Sequence, residues 1–249
     1  MYNETKYSVS NNLFCCMIKG IRTAMVMFVC LLWQTPNHAP VIRITQPANH
    51  SIYKWGSQIQ YSIDISDAED GESKYQEIQS SEVLVRLKFA GSPAQASAYM
   101  KQKNFNDTAG LMNMMISNCF SCHGFKNKLA GPSFQDISRK YQADPSNRDQ
   151  LENHIITGST GIWGKEVMPT HPELNTEIAQ KMVRWILTYA NDPGLNYFVG
   201  IQGALPLNKP KSNVQSGVFI FTAFYTDHGT SDFPDRRITA AGQSILNVK

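Results

Sequence analysis

The sequence predicts an α+β chain in which a helical middle is flanked on both sides by strand-forming stretches. Three observations carry this. Across residues 40–89 apolar and polar residues alternate, the period of a half-buried strand. Between residues 104 and 192 apolar residues recur at helical spacing instead, as in Ile178, Met182, Trp185, Ile186 and Tyr189. From residue 217 onward the chain becomes strand-like again. With 249 residues, 42% of them hydrophobic and 17% charged, there is room for two domains and too much apolar content for a disordered chain. A net charge of +3 lacks the basic excess of a dedicated nucleic-acid binder.

Residues 1–38 are expected to be a signal peptide. Lys19 and Arg22 precede a short apolar run at 24–33, followed by polar, turn-prone residues and Ala39. The run is about half the length of a membrane-spanning helix, so no transmembrane helix is expected once the leader is removed. An uncleaved leader would instead leave the protein membrane-associated. Removal takes away Lys6, Lys19, Arg22 and Glu4, leaving 20 basic and 19 acidic residues and a formal charge of +1. It also takes away Cys15, Cys16 and Cys30, so only Cys119 and Cys122 remain and a disulfide framework is excluded apart from one local bridge between them.

Residues 39–95 are expected to form a β-sandwich segment. Val41, Ile42 and Ile44 open a strand. Ile59, Tyr61, Ile63 and Ile65 alternate, as do Val83, Val85, Leu87 and Phe89. The acidic stretch 67–73 is expected to be a solvated turn, with a calcium loop through Asp67, Glu69 and Asp70 as the alternative. Residues 91–97 and 191–194 read as linkers.

The chemistry is concentrated at residues 119–123, Cys-Phe-Ser-Cys-His. Two thiols at this spacing reach the two vinyl groups of one haem, and the adjacent imidazole then offers a nitrogen to its iron. A redox dithiol and a structural zinc site are the alternatives. The first calls for an alternating strand–helix unit and the second for another ligand pair, and neither is evident. A sixth iron ligand could come from Met168, Met182, His154, His171 or His228. Met182 lies in a helical apolar stripe and His154 in the helix expected near residues 147–158. Met168 is the choice, because Pro169 biases it toward an extended backbone in a loop rich in glycine and proline. Gly110, in the first helix of this region, suits a close helix crossing, and Asp107 or Thr108 and Asn175 are expected helix caps.

Residues 104–192 resemble the class I cytochromes c, especially the small bacterial type. The resemblance rests on CFSCH at 119–123, AGPSFQDISRKY at 130–141, TGSTGIWGKEVMP at 157–169 and MVRWILTY at 182–189. It implies one covalently bound haem c held by Cys119 and Cys122, with His123 and Met168 as the iron's axial ligands. It also implies that Pro132 offers its carbonyl to the His123 ring and that Trp163 lies beside the haem edge. The implied activity is single-electron transfer between a donor and an acceptor protein in the periplasm or another extracytoplasmic space.

The flank at 39–95 resembles, more loosely, the immunoglobulin or polycystic-kidney-disease-like sandwiches attached to some bacterial cytochromes and sugar dehydrogenases. Residues 199–249 form a second β segment, with strands expected at 217–229 and 244–249. Neither flank has the roughly seven strands of a complete sandwich, so one sandwich split by the cytochrome is the expectation, with separate N-terminal and C-terminal modules as the rival. The alternatives to a free carrier are the electron-accepting subunit or tail of a quinoprotein sugar dehydrogenase, a haem sensor, or a carbohydrate-binding module using Tyr53, Trp55 and Tyr225. A sugar dehydrogenase or a terminal oxidase is an expected type of partner.

Overall fold

The computed structural model describes residues 36–101, 108–141 and 146–249. Nearly all of the expected leader, and the candidate cap Asp107, lie outside the described residues. The first strands are β1 (Val41–Gln46), β2 (Ser51–Tyr53), β3 (Gln58–Asp67), β4 (Gly71–Glu72) and β5 (Leu84–Ala90). Five helices follow: α1 (Pro93–Lys101), α2 (Thr108–Ile116), α3 (Phe134–Tyr141), α4 (Asn147–Thr157) and α5 (Thr176–Tyr189). The chain closes with β6 (Leu195–Val199), β7 (Gln202–Pro206), β8 (Gly217–Thr226) and β9 (Thr239–Val248).

Strands from before and after the helices share both sheets. In one, β3 pairs antiparallel with β1, β4 and β7. The other runs β2-β9-β8-β5-β6, with β2 parallel to β9 and the remaining pairs antiparallel. The alternation in β3 turns Ile59, Tyr61, Ile63 and Ile65 into a core shared with Val85 and Leu87 of β5 and Phe219 and Phe221 of β8. The opposite face of the five-stranded sheet is covered too. Leu84, Tyr197 and Phe224 join a second core with Leu111, Met182 and Trp185 of the helices. Val218 and Ile220 pack with Ala96, against which Tyr99 and Met100 of α1 also lie. Strand β8 is therefore buried on both faces, which is why its sequence is a continuous apolar run rather than an alternating one.

Of the two expected linkers, one is largely a helix and the other a turn fastened to the sheet. Residues 93–101 form α1 because Pro93 occupies the first helical position and the Ser92 hydroxyl accepts the Gln95 N–H at 3.2 Å. At 191–194 the Asp192 carboxylate accepts the Gly194 N–H at 2.8 Å and meets the Lys88 ammonium at 2.5 Å. Since β5 leads into α1 and pairs with β6 directly after α5, the helical segment leaves and rejoins the sheet at one place. Phe89 N–H to Gly194 O, 2.7 Å, and Lys126 Nζ to Pro193 O, 3.0 Å, tie that place further.

The acidic turn after β3 is a latch. Asp67 accepts the N–H groups of Glu69 and Asp70 at 3.0 and 2.9 Å. Asp70 in turn accepts from the Tyr225 hydroxyl at 2.6 Å and from His228 N–H at 3.0 Å. The turn is therefore tied to β8 and partly buried, not simply solvated as expected, and among the described residues no group of three or more His, Cys, Asp or Glu side chains is arranged to hold a metal ion.

Candidate functional site

Helix α2 delivers the Cys-Phe-Ser-Cys-His segment. Past its end Asn118 adopts a left-handed conformation (φ 58°), which asparagine tolerates, and starts a 3₁₀ turn over Cys119–Ser121. The N–H groups of Cys122 and His123 both return to Cys119 O, at 3.2 and 2.9 Å. This tight turn gathers both thiols and the imidazole on one cavity. The two cysteines are free; Cys119 is half-buried and Cys122 exposed. Burial pushes the Cys119 thiol up to about 11, so it is held neutral.

The following loop folds back under the His123 ring. Gly131 N–H donates to Cys122 O at 2.8 Å and Phe134 N–H to Gly124 O at 3.0 Å. A side chain at Gly131 would put its Cβ 2.5 Å from His123 Cε1, so only glycine lets the backbone pass there. The passage brings Pro132 O to 2.8 Å from His123 Nδ1. Nδ1 is thereby the protonated nitrogen that donates, and Nε2 is left as the donor atom for a metal. Phe134 stacks on the ring, 5.4 Å between centroids at 27°. Burial holds the His123 pKa below the usual imidazole value, partly offset by the bond to Pro132, so the ring is neutral and able to ligate. Ser133, fully buried, accepts the Asp136 N–H at 3.1 Å and starts α3.

The opposite wall comes from α4, α5 and the loop between them. Met182, Val183 and Ile186 line the cavity from α5, and Leu151 and Ile155 from α4. Helix α5 is capped by Asn175, whose side chain accepts the Ile178 N–H at 2.9 Å. It lies close across α2, since a Cβ on Gly110 would fall 2.9 Å from that of Trp185. Helix α4 ends at Gly158 (φ 77°), where the backbone turns and faces Met168 across two hydrogen bonds of Ser159, 3.2 and 2.9 Å. Trp163 stands 6.4 Å from Tyr141, with the Lys140 ammonium 4.4 Å from its ring.

All six residues singled out from the sequence, Cys119, Cys122, His123, Pro132, Trp163 and Met168, line this one cavity of about 310 Å³. So do Met182, His154 and His171, whereas His228 is in the latch, bridging Asp70 and Glu82. Phe134, Ile137 and Tyr141, absent from the sequence-predicted set, also line it, and their helical spacing on α3 is the signal in the sequence that marks them. The donor set fits a haem: paired free thiols, an oriented imidazole and a thioether line a partly open, mainly apolar space of ligand size. The sugar-platform residues are elsewhere. Tyr53 and Trp55 pack on the sandwich core, Tyr225 is 1% exposed, and the Trp55 indole N–H donates to Gln215 O at 2.8 Å. Tyr225 is thus a core residue, and Tyr53 and Trp55 are half-buried against that core.

No protein-family model matches the chain. Curated relatives include cytochrome c-551 of Ectopseudomonas mendocina, 39% identical over 70 residues, which are 28% of this chain and 84% of that protein. Cytochrome c-552 of Nitrosomonas europaea is 33% identical over 95 residues, 38% of this chain and 80% of that one. The crystal structure of wild-type Nitrosomonas europaea cytochrome c552 aligns at 33% identity over 30% of this chain and 94% of that chain, with a TM-score of 0.30.

Proposed function

The chain belongs to the small bacterial cytochromes c of the c-551 and c-552 type, which carry covalently bound haem c, and from that premise we propose that it is an exported monohaem carrier of single electrons. One observation supports this above the others: Cys119, Cys122, His123 and Met168 converge on one apolar cavity. In this reading Cys119 and Cys122 form the two thioethers, His123 Nε2 is the fifth ligand and the Met168 sulfur the sixth. Bound there, haem supplies an iron that alternates between Fe(III) and Fe(II). The chain's own residues hold both donors in fixed backbone, through Pro132 on one side and Ser159 on the other, so little rearrangement accompanies each electron. Phe134, Ile137, Met182 and Ile186 keep water from the iron and, with the thioether, favour the reduced state.

The flanking strands are read as one immunoglobulin or polycystic-kidney-disease-like sandwich into which the haem domain is inserted between β5 and β6. The pairing of β5 with both β6 and β8 supports this. Partners are a donor and an acceptor redox protein in the periplasm. Among the described residues no helix is long and apolar enough to cross a membrane.

The test is a pyridine haemochrome spectrum of the exported protein beside its intact mass. One haem per chain, a mass raised by one porphyrin and reversible one-electron titration are expected. A matured protein that is colourless, with both thiols open to alkylation, overturns the reading.

A further inference from the structure

We propose that His171 is a second, pre-oriented iron donor that takes the sixth position when Met168 leaves it. The proposal rests on the haem reading above and adds a ligand that this reading does not use. In the stretch 164–173 only Met168 and His171 are half-buried; the other residues are exposed. Both are pinned to the end of α4 by the backbone, Met168 through its pair with Ser159 and His171 through its N–H to Ile156 O at 3.0 Å. Both line the cavity. One short segment therefore presents two donor side chains, a thioether and an imidazole, to the same space.

The His171 ring is prepared as the His123 ring is. Its Nδ1 lies 2.8 Å from Glu173 Oε1, as that of His123 lies 2.8 Å from Pro132 O. Anchoring at Nδ1 fixes the tautomer and leaves Nε2 for a metal. His154 also faces the cavity, but its ring has no comparable tie among the described residues. Met182 is fully buried on the core face of α5, with no loop to bring it forward.

The step is a ligand exchange. The dative bond from the Met168 sulfur breaks and one forms from the Nε2 lone pair of the neutral His171 imidazole, with no electron gained or lost by the iron. Imidazole in place of thioether favours Fe(III), so the exchange lowers the potential and would set apart a less oxidising form of the carrier.

The experiment uses the matured, haem-loaded protein and its electronic and electron paramagnetic spectra. Met168→Ala is expected to lose the sulfur–iron charge-transfer band yet stay low-spin, with a lowered midpoint potential. Met168→Ala with His171→Ala is expected to become high-spin and to bind added imidazole about tenfold more tightly or better, because the internal competitor is gone. A high-spin Met168→Ala protein with haem attached overturns the proposal, as does a double variant that stays low-spin. If Met168→Ala does not mature, Met168→Leu, which keeps the side-chain bulk, replaces it in both arms. Failure of the unaltered protein to attach haem would be a different result and would end the function reading itself.

Discussion

Gly110→Ala tests whether the α2–α5 crossing holds the cavity wall in place. A methyl at residue 110 would lie 2.8 Å from the Lys181 carbonyl carbon and 2.9 Å from Trp185 Cβ, and closer still to the Lys181 oxygen. Carbon atoms pack best at about 3.5–4.0 Å, so the two helices must part by roughly 1 Å. The obstructing atoms are backbone and the root of a side chain, which no rotamer change can move. Overpacking of this kind costs about 1–3 kcal/mol, and the unyielding neighbours place it in the upper half of that range. Alanine returns about 1 kcal/mol as a better helix former. The net expectation is a loss of about 1–2 kcal/mol, which for a unit of this size lowers Tm by roughly 2–8 °C. Thermal melts of the haem-loaded protein, followed in the Soret band and by tryptophan fluorescence, read it directly. Met182, Val183 and Ile186 ride on α5, so the sulfur–iron band should weaken as well. A variant as stable as the parent, or more stable, would mean that helix propensity outweighs contact and that the crossing is not tight.

Gly131→Ala would push a methyl against His123 Cε1 and Nδ1, at 2.5 and 2.7 Å, and strain the bond to Pro132. A less basic imidazole should raise the midpoint potential, and an unchanged voltammogram would refute that role. Cys119→Ser should leave a single thioether and move the haemochrome band to longer wavelength; an unmoved band would mean that Cys119 carries no link to the haem. For His228, burial lowers the pKa, but the hydrogen bonds and charges of Asp70, then Glu82, outweigh it and hold the ring above its ordinary value. The latch is therefore at full strength below about pH 6.5 and weakens as pH rises through the raised value. In His228→Gln the denaturation midpoint should lose this decline above pH 6.5, and retention of the slope would place its origin elsewhere.

Much of the site was legible because its signals are local. The Cys-Phe-Ser-Cys-His spacing, the Pro169 that holds Met168 extended and the glycines at 110 and 131 each express a constraint within a few residues. Strand β3 was legible for the same reason, its buried row of Ile59, Tyr61, Ile63 and Ile65 alternating with less buried neighbours, whereas in β5 the row of Val85 and Leu87 shows although Leu84 and Arg86 on the other face are buried too. What was not legible depends on distant partners. Helix α1 was hidden behind Gly91-Ser92-Pro93, which reads as punctuation until the sheet supplies Val218 and Ile220 for Ala96 to cover. Strands β6 and β7 are short and separated by Gly200-Ile201, so their period is too brief to register. His171 has a Pro172 neighbour and no local advantage in sequence; its anchor at Glu173 and its place on the cavity come only with the fold.

Strand β8 links the two cores, and that has a consequence for stability. Phe219, Phe221 and Tyr225 face the sandwich interior while Phe224, on the other side, belongs to the core that contains Met182 and Trp185. The helical segment is thus not a bead on a tether. Its own wall continues into the sheet through Leu84, Tyr197 and Phe224, and its two ends are fastened together by Lys88 and Asp192. Phe224 is 1% exposed, and truncating it to alanine should remove about 3–5 kcal/mol. Because the cavity falls in a core to which the sheet contributes, this loss should appear at one temperature in the Soret band and in the far-ultraviolet β signal alike. Two separated transitions, with the haem band holding after the β signal has gone, would show that the haem segment stands without its sheet and that the shared core is only a contact between independent domains.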